Sequence, residues 1–472
     1  MLNLLHIIIW LFSLFSAGHA LLNKRDPRAG LGWIVTCLAL PGLGALFYWM
    51  FGVNRIRTRA RELQELGQGM HWLNVDELHP DVDHQKVPDS TTIRALTTLS
   101  DAVSRRPLIC GNRVKVLYNG EQAYPAMLEA IRSATDSVYL CSYIFKADRT
   151  GRLFVKALAE AAERGVDVRV MIDAFGQYYA FAKVRKLLKQ NKVNYAIFMP
   201  PSLARSCYLN MRNHRKILVV DDRYGFTGGM NICDKHLAKI KNNPRRTIDL
   251  HFRFEGPICN QLRDAFLEDW HFATDEKRKA RNWPLAPVAG KACCRGISAG
   301  PNEPHEKLNW ILIGALACAK SRIRIMTPYF VPTRAQLAAI NTAALRGVKV
   351  EILLPEQNNL PYVRWATNAF LFELLEHKVD VYFQPPPFVH SKLLLIDDEY
   401  ALIGSANIDP RSLRLNFEFN VEIIADESIV ELCEHFDQSR AASHLVSLDE
   451  VDQRSLLLRL RDSFCKLFTP YL

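Results

Sequence analysis

The sequence predicts an α/β protein of two pseudo-symmetric lobes, each a mixed sheet flanked by helices, preceded by a transmembrane helical hairpin. Three observations lead to this fold class. Two long apolar runs open the chain, a motif beginning His-x-Lys occurs twice at identical spacing, and helix–strand pieces around the two copies also match. The 472 residues suffice for two domains of ordinary size, and 49% hydrophobic residues exclude a globally disordered chain.

The hairpin is predicted from residues 2–22 and 31–52, which read "LNLLHIIIWLFSLFSAGHALL" and "LGWIVTCLALPGLGALFYWMFG". At about 1.5 Å per residue, each run is long enough to cross a hydrocarbon core of roughly 30 Å. A cleaved signal peptide is the alternative for the first run, but that run lacks a basic start and a second run follows closely. We expect residues 1–60 to form the hairpin, with Pro41 kinking its second helix.

The segment after the hairpin, residues 61–110, is polar and weakly periodic, so we predict a linker. It sets His79 and His84 among acidic residues, which is weak support for a metal site. The eleven cysteines are an odd number without zinc-type spacing, and most lie singly in apolar runs. We therefore expect a chain kept reduced, with its soluble part in the cytoplasm.

The two lobes are predicted from a repeat that extends beyond the motif. Residues 161–173, "AAERGVDVRVMID", resemble residues 343–355, "AALRGVKVEILLP": a helix end, a Gly at the C-cap, then a buried strand. Strands alternate with helices on both sides of these pieces. We place the first lobe at 111–290 and the second at 291–472, as one duplicated domain.

The motif reads "NHRKILVVDDRYGFTGGMN" at 213–231 and "VHSKLLLIDDEYALIGSAN" at 389–407. Each copy begins on a strand, so the two-residue period places His214 with Lys216 on one face, and His390 with Lys392 likewise. One buried His would ordinarily be a satisfied core residue. Two copies favour a shared site, in which two imidazoles and two ammonium groups suit a phosphate. One His is then free to attack phosphorus and the other to protonate the leaving oxygen.

The remaining motif residues have other predicted roles. Asp221 and Asp397 belong to the motif's catalytic set, although their odd offset from the histidines puts them at the strand end and favours a structural role there, bonding the following Gly-rich turn. Asn231 and Asn407 follow the Gly-rich turn, where the chain can return a polar side chain to the site.

His-x-Lys-x4-Asp-x6-Gly-(Gly/Ser)-x-Asn, present twice, resembles the phospholipase D superfamily. The hairpin ending in "FGVNRIRTRAR", the "GGMNI" after the first motif and the "TPYFVP" before the second are similar to bacterial cardiolipin synthases. The resemblance implies phosphatidyl transfer between two phosphatidylglycerol molecules through a phosphohistidine, without metal or other cofactor. By analogy with the superfamily, we expect His214 to be the nucleophile.

The resemblance also implies an acidic residue after each motif that orients the active His. We assign Glu418 of "NFEFN" to His390, and Asp249 of "TIDLHF" to His214. The two halves are not equivalent, because Gly229 stands where the second copy has Ser405.

The expected partners are phosphatidylglycerol, other phospholipids and the membrane. The net charge of +11 suits anionic lipid or nucleic acid, but no dense basic–aromatic track is present, so we expect no nucleic acid partner. The resemblance implies a multi-pass protein of the bacterial inner membrane, and a slight excess of Arg after the second run favours cytoplasmic lobes. Residues 200–214, 362–377 and the C-terminal stretch are candidates for lipid contact, with ordinary core or loop as the alternative.

Alternative functions are a lipid hydrolase, a phosphatidylserine synthase or a membrane-bound nuclease with the same chemistry. A catalytically dead scaffold is disfavoured because both motifs are intact. The sequence leaves open the oligomeric state and whether phosphatidylethanolamine is a co-substrate.

Overall fold

The computed structural model describes residues 2–24, 27–53, 90–104, 106–176, 183–199, 211–240, 243, 245–274, 276, 286–300, 306–424 and 426–469. The predicted linker up to residue 89, with His79 and His84, and the candidate lipid-contact residues 200–210 lie outside them. The chain divides into two compact units, Met1–Gly69 with Pro201–Asn210, and Met70–Pro200 with Met211–Leu472. Each unit has its own buried core.

The described residues of the first unit are mostly helical. Its helices are α1 (Leu2–Asn23), α2 (Pro27–Ala39), α3 (Leu43–Phe47) and a π-helical turn (Tyr48–Gly52). Among the described residues, one helix, Leu4–Asn23, is both long and apolar enough to cross a membrane.

The second apolar run is not one continuous helix, because it breaks between α2 and α3. Pro41 has no N–H to donate at this point, and Gly42 adopts a left-handed φ of 78°. The N–H of Gly42 donates instead to Ser13 Oγ of α1, at 2.8 Å. The Ser13 side chain of α1 thus accepts a hydrogen bond from a backbone N–H that has no helical partner at the break between α2 and α3.

The second unit is built on a mixed sheet of sixteen strands drawn from the described residues. The strands of this unit are β1 (Ile109–Tyr118), β2 (Ser137–Ser142), β3 (Asp167–Asp173), β4 (Tyr195–Phe198), β5 (Arg212–Asn213), β6 (Ile217–Val220), β7 (Tyr224–Gly228), β8 (Thr247–Ile248), β9 (Leu250–Glu255), β10 (Ala292–Ala299), β11 (Arg322–Met326), β12 (Lys349–Pro355), β13 (Asp380–Gln384), β14 (Phe388–Val389), β15 (Leu393–Ile396), β16 (Tyr400–Gly404), β17 (Asn416–Ile424) and β18 (His444–Leu445). Fifteen strands of the large sheet follow the order β18-β13-β12-β11-β15-β16-β17-β10-β1-β9-β7-β6-β2-β3-β4, and β5 pairs with β17 off this path. The other two, β8 and β14, form a separate two-stranded sheet.

Helices flank this sheet, so the α/β mixed-sheet prediction is confirmed. The helices are α4 (Thr91–Ser104), α5 (Asn119–Ser133), α6 (Arg149–Glu163), α7 (Lys183–Gln190), α8 (Ile258–Thr274), α9 (Lys307–Cys318), α10 (Arg334–Leu345), α11 (Pro361–Glu376), α12 (Pro410–Arg414), α13 (Glu427–Ala441), α14 (Leu448–Asp452) and α15 (Leu456–Leu467), with a 3₁₀ turn at Asp234–His236.

Two short pairs of parallel strands position the two motif histidines. β5, directly before His214, pairs with β17, and β14, directly before His390, pairs with β8. The motif strands β6 and β15 each lie between two antiparallel neighbours, so they are buried along their whole length. Each motif histidine therefore stands beside the strand that follows the other motif.

The structure departs from the expectation that every cysteine is reduced. Cys110 of β1 and Cys293 of β10 form a disulfide. The two strands are antiparallel neighbours, with Ile109 opposite Cys294, and this pairing brings together residues far apart in the chain. The other cysteines of the described residues are free.

Candidate active site

The backbone fixes each motif histidine against the opposite half of the unit. The N–H of His214 donates to the carbonyl of Phe417 at 2.9 Å, and the N–H of His390 donates to the carbonyl of Ile248 at 2.8 Å. Both rings are buried except for 12% of their surface. Each imidazole is therefore held firmly, with one small part open to a ligand.

The carboxylate partners of the histidines are crossed. His214 Nδ1 lies 3.0 Å from Glu418 Oε2, and His390 Nδ1 lies 2.8 Å from Asp249 Oδ2. The predicted pairing, with Glu418 on His390 and Asp249 on His214, is wrong.

Strand register explains the crossing. Asn213 lies opposite Phe417 in the β5–β17 pair, and the next residues along these parallel strands are His214 and Glu418. In the β14–β8 pair, Val389 lies opposite Ile248, and the next residues are His390 and Asp249. Parallel strands carry the following side chains side by side, so each acid meets the histidine of the other motif.

The two lysines lie beside their own histidines. Lys216 Nζ donates to the carbonyl of His214 at 2.6 Å, and Lys392 Nζ donates to that of His390 at 2.5 Å. Lys392 Nζ is also 3.0 and 3.1 Å from the two ring nitrogens of His390. Among the described residues, no carboxylate lies within ion-pair distance of either lysine. Burial lowers the pKa of Lys216 to about 8 and that of Lys392 to about 7.

Burial also lowers the pKa of both histidines, because it disfavours the imidazolium. For His214 the adjacent Glu418 opposes this effect. For His390 the charge of Lys392, and then that of Lys216, adds to it, and the pKa falls well below its ordinary value. In His214, the neutral tautomer whose Nδ1–H donates to Glu418 leaves Nε2 with a free lone pair, which is the nucleophile that phosphoryl chemistry needs. In His390, Nε2 lies 3.1 Å from Lys392 Nζ.

The two carboxylates are supported differently. Ser405 Oγ donates to Glu418 Oε2 at 2.5 Å, whereas Asp249 Oδ1 accepts the N–H of Leu250 at 2.9 Å. At Gly229, the counterpart of Ser405, an added Cβ would lie 2.2 Å from Asp249 Oδ1. The shorter Asp therefore occupies the space that a Ser side chain fills in the other half, which accounts for the difference between Gly229 and Ser405. Burial raises the pKa of Glu418, but His214, Lys216 and Ser405 outweigh it and hold that pKa below its ordinary value.

Asp221 and Asp397 do not lie in this cluster, so their place in the catalytic set is corrected. The Asp221 carboxylate accepts the backbone N–H groups of residues 135–137 at 2.8–2.9 Å, and Asp397 accepts those of residues 320–322 at 2.7–2.9 Å. Both aspartates close the far end of the motif strand, roughly 15 Å of extended chain from the motif lysine. They fasten the start of the neighbouring strand, and not the Gly-rich turn.

The motif asparagines hold the loop after the Gly-rich turn. Asn231 Oδ1 accepts the N–H of Ile144 at 3.0 Å. The N–H of Asn407 donates to Ser412 Oγ at 3.2 Å, and Asn407 lines a small cavity together with Lys392. Both asparagines thus belong to the surroundings of the site.

Comparison with known families identifies the lineage. The family model described as "Cardiolipin synthase, PLD-like domain" matches residues 127–270 and 312–440, which contain both motifs and more than half of the chain. The chain belongs to the cardiolipin synthase family. A second family model, "Phospholipase D-nuclease N-terminal", matches residues 7–52.

Curated relatives cover nearly the whole of this family member. It is 30% identical to the cardiolipin synthase of Geobacillus kaustophilus (strain HTA426), over 100% of this chain and 94% of the relative. It is 31% identical to cardiolipin synthase A of Pseudomonas putida (strain GB-1), over 98% and 97%. The solved structure of phosphatidylserine synthase from Haemophilus influenzae Rd KW20 superposes with a TM-score of 0.62 at 17% identity, covering 81% of this chain and all of that one. This likeness shows the same fold.

Sequence reasoning missed Lys235 and His236, which follow the first motif in this family member. His236 Nε2 accepts the N–H of Asn231 at 3.2 Å, the bond that Ser412 Oγ makes with Asn407 in the second half. The neutral ring therefore carries its proton on Nδ1, which lies 3.9 Å from Asp249 Oδ2. Burial lowers the pKa of His236 to about 3, so it stays neutral.

Lys235 and several aromatic rings lie around the two motif histidines. Lys235 Nζ lies 5.5 Å from the ring centre of Phe388, and that ring lies 5.9 Å from His390. The ring of Tyr143 lies 5.1 Å from His214, and that of Tyr329 lies 6.4 Å from His390. For Lys235 and His236 a signal existed: they stand four and five residues after the motif Asn, where the second copy has Arg411 and Ser412.

Proposed function

We propose that the protein is a cardiolipin synthase, which transfers the phosphatidyl group of one phosphatidylglycerol to the headgroup hydroxyl of another and releases glycerol. The observation that carries the proposal is the crossed pair of histidine–carboxylate contacts, His214 with Glu418 and His390 with Asp249. Beside them lie two lysines that form no ion pair with a carboxylate of the described residues. Such a site offers two general acid–base groups and two cations to one phosphodiester. Curated relatives bearing this name match the chain over nearly its full length.

The first step is attack of His214 Nε2 on the donor phosphorus. A P–N bond forms, the P–O bond to the headgroup glycerol breaks, and His390 gives its proton to the departing oxygen. The negative phosphodiester favours that proton on His390 when substrate is bound, opposing the effect of burial on its pKa. Lys216 and Lys392 stabilise the non-bridging oxygens as charge develops on them.

The second step reverses the roles. His390 removes the proton from a headgroup hydroxyl of the second phosphatidylglycerol, whose oxygen attacks phosphorus. The P–N bond breaks, and His214 leaves as a neutral imidazole that keeps its proton on Nδ1 and donates it in a hydrogen bond to Glu418. Asp249 accepts a hydrogen bond from the Nδ1–H of His390 throughout and stabilises its imidazolium form. The products are cardiolipin and glycerol, and no metal or cofactor enters the balance.

The architecture that we propose has residues 1–60 as a two-span hairpin, a linker from residue 61 to the start of α4, and two lobes at 111–290 and 291–472. The linker predicted for 61–110 is corrected at its end, because α4 (Thr91–Ser104) is a helix whose Ile93 and Leu96 are buried in the core of the second unit. Equal motif spacing and the reciprocal strand pairs β5–β17 and β14–β8 support two-fold related lobes. The apolar length of α1 and the family match over residues 7–52 support an inner-membrane, multi-pass protein. The Arg-rich sequence after the second run favours cytoplasmic lobes.

The test is incubation of the purified full chain with phosphatidylglycerol labelled in its headgroup glycerol. We expect cardiolipin and labelled free glycerol in equal amounts, and neither product from His214→Ala. Phosphatidic acid as the main product would indicate a hydrolase instead. Formation of phosphatidylserine when serine is added as the acceptor would indicate a phosphatidylserine synthase.

A further inference from the structure

The C-terminal helix α15 exposes an unusually apolar side. Its large apolar side chains on that side are between 47% and 78% exposed, although α15 packs on the second unit. They are Leu456, Leu457, Leu460, Phe464, Leu467 and Phe468. With 3.6 residues per turn, these positions fall within one continuous arc of about 120°. We call this arc the outer face of α15.

The opposite side of α15 is polar and packs against α11. Lys466 Nζ donates to the carbonyl of Ala369 at 3.2 Å, and the guanidinium of Arg461 lies 4.5 Å from the ring of Trp365. Asp462 is 1% exposed and pairs with Arg454 and Arg461. The helix is therefore inverted relative to an ordinary surface helix, because Arg461, Asp462 and Lys466 contact the protein while the apolar side chains of the outer face point outward.

We propose that the outer face of α15 inserts into the interfacial layer of an anionic phospholipid bilayer. Apolar surface of this extent is unfavourable in water and is typical of helices that lie in the membrane plane. The exposed Arg459 flanks the outer face, and the single carboxylate of α15 itself, Asp462, is buried and paired with Arg454 and Arg461. Anionic headgroups complement this charge.

A second copy of the chain is a less suitable occupant. A two-fold contact between outer faces would bring the exposed Arg459 side chain of each copy to the same contact, and like charges oppose such a contact. The proposal does not rest on the enzymatic activity, since it follows from exposure, packing and charge alone. It adds to the proposed function a direct contact between the catalytic unit and the bilayer that contains the substrate.

The experiment places a benzophenone amino acid at Leu460 or at Phe464 of the full chain, reconstituted in phosphatidylglycerol vesicles with tritiated acyl chains. The control carries the benzophenone amino acid at Leu345, which is 68% exposed and is the one large apolar side chain of α10 that is exposed. After irradiation we expect at least about tenfold more label on the protein from positions 460 and 464 than from position 345. Replacing Arg459 by Gln should reduce the label in phosphatidylglycerol vesicles more than in phosphatidylcholine vesicles.

Two results would overturn the proposal. One is labelling at 460 and 464 no greater than at 345. The other is crosslinking between two protein chains at 460 in place of lipid adducts, which would make the outer face an oligomer interface. Thermal melting of each photoreactive variant checks folding, and because these side chains lie outside the core, we expect melting within a few degrees of the parent. Lipid adducts would form whether or not the protein makes cardiolipin, so the two proposals fail independently.

Discussion

His390 Nδ1 lies 2.8 Å from a carboxylate oxygen of Asp249. Asp249 belongs to the other half, 18 residues after Asn231, which ends the first motif. The reciprocal contact joins His214 to Glu418. Neither half of the second unit therefore holds a complete histidine–carboxylate pair, and the site exists only when both halves are docked.

The crossed pairing predicts which step each acid supports. Glu418→Gln should slow formation of the covalent phosphatidyl-enzyme by about 10²–10⁴-fold, because His214 loses the group that orients its Nδ1 proton. Asp249→Asn should instead impair proton transfer by His390. Single-turnover trapping with a labelled phosphatidyl donor measures both. Suppose that, with an acidic leaving group, Asp249→Asn formed as little labelled enzyme as His214→Ala while Glu418→Gln formed the normal amount. That result would support pairing of each acid with the histidine of its own half, and contradict the crossed pairing.

The assignment of the nucleophile predicts different behaviour of the two histidine variants. With a nitrophenol leaving group, which needs little protonation, His390→Ala should still form labelled enzyme. His214→Ala should form none, since the atom that bonds to phosphorus is missing. Label in His214→Ala but none in His390→Ala would reverse the assignment, and equal label in both would refute the two-histidine scheme.

The lysines predict a pH dependence of substrate binding. The pKa of Lys392 is lowered to about 7 and that of Lys216 to about 8, by burial, so the free site loses positive charge as the pH rises through this range. Binding of short-chain phosphatidylglycerol to His214→Ala, which cannot turn over, should weaken by up to about tenfold per pH unit for each lysine that deprotonates. Adding Lys392→Arg should flatten the lower part of the profile, because Arg stays charged. A profile unaltered by that substitution would exclude Lys392 as the titrating group.

The close approach of Gly229 to Asp249 predicts that no side chain is tolerated there. Gly229→Ser should displace the Asp249 carboxylate, costing about 1–3 kcal/mol of stability and most of the activity. Thermal melting and cardiolipin formation measure the two effects. Ser405→Gly, the reciprocal change, creates no clash and removes one hydrogen bond to Glu418, so its melting temperature should fall less. Full activity in Gly229→Ser would show that Asp249 has room to move.

The proposed reaction predicts indifference to chelators. The cations that we assign to the phosphate are lysine side chains, so treatment with excess EDTA followed by removal of the chelator should leave the rate of cardiolipin formation unchanged. Loss of activity that only a divalent ion restores would contradict the proposed chemistry.

The sequence by itself determined the features that local spacing encodes. The two-residue spacing paired each His with its Lys, although both lie between strands, β5 and β6 or β14 and β15, and not on a strand as predicted. The paired glycine-rich turns revealed the duplicated motif, and Pro41 marked the break in the second apolar run. The family followed from the same motifs, and comparison with known families confirmed it. The sequence also showed that Gly229 and Ser405 differ, without giving the reason.

The tertiary structure alone decided which acid serves which histidine, because that choice depends on the register of strands far apart in the chain. His214 and Glu418 are 204 residues apart, and His390 and Asp249 are 141 residues apart. Local periodicity says nothing about which distant strand is a neighbour. The same cause explains the roles of Asp221 and Asp397, the disulfide between Cys110 and Cys293, and the position of His236 beside Asp249, each of which requires the packed sheet.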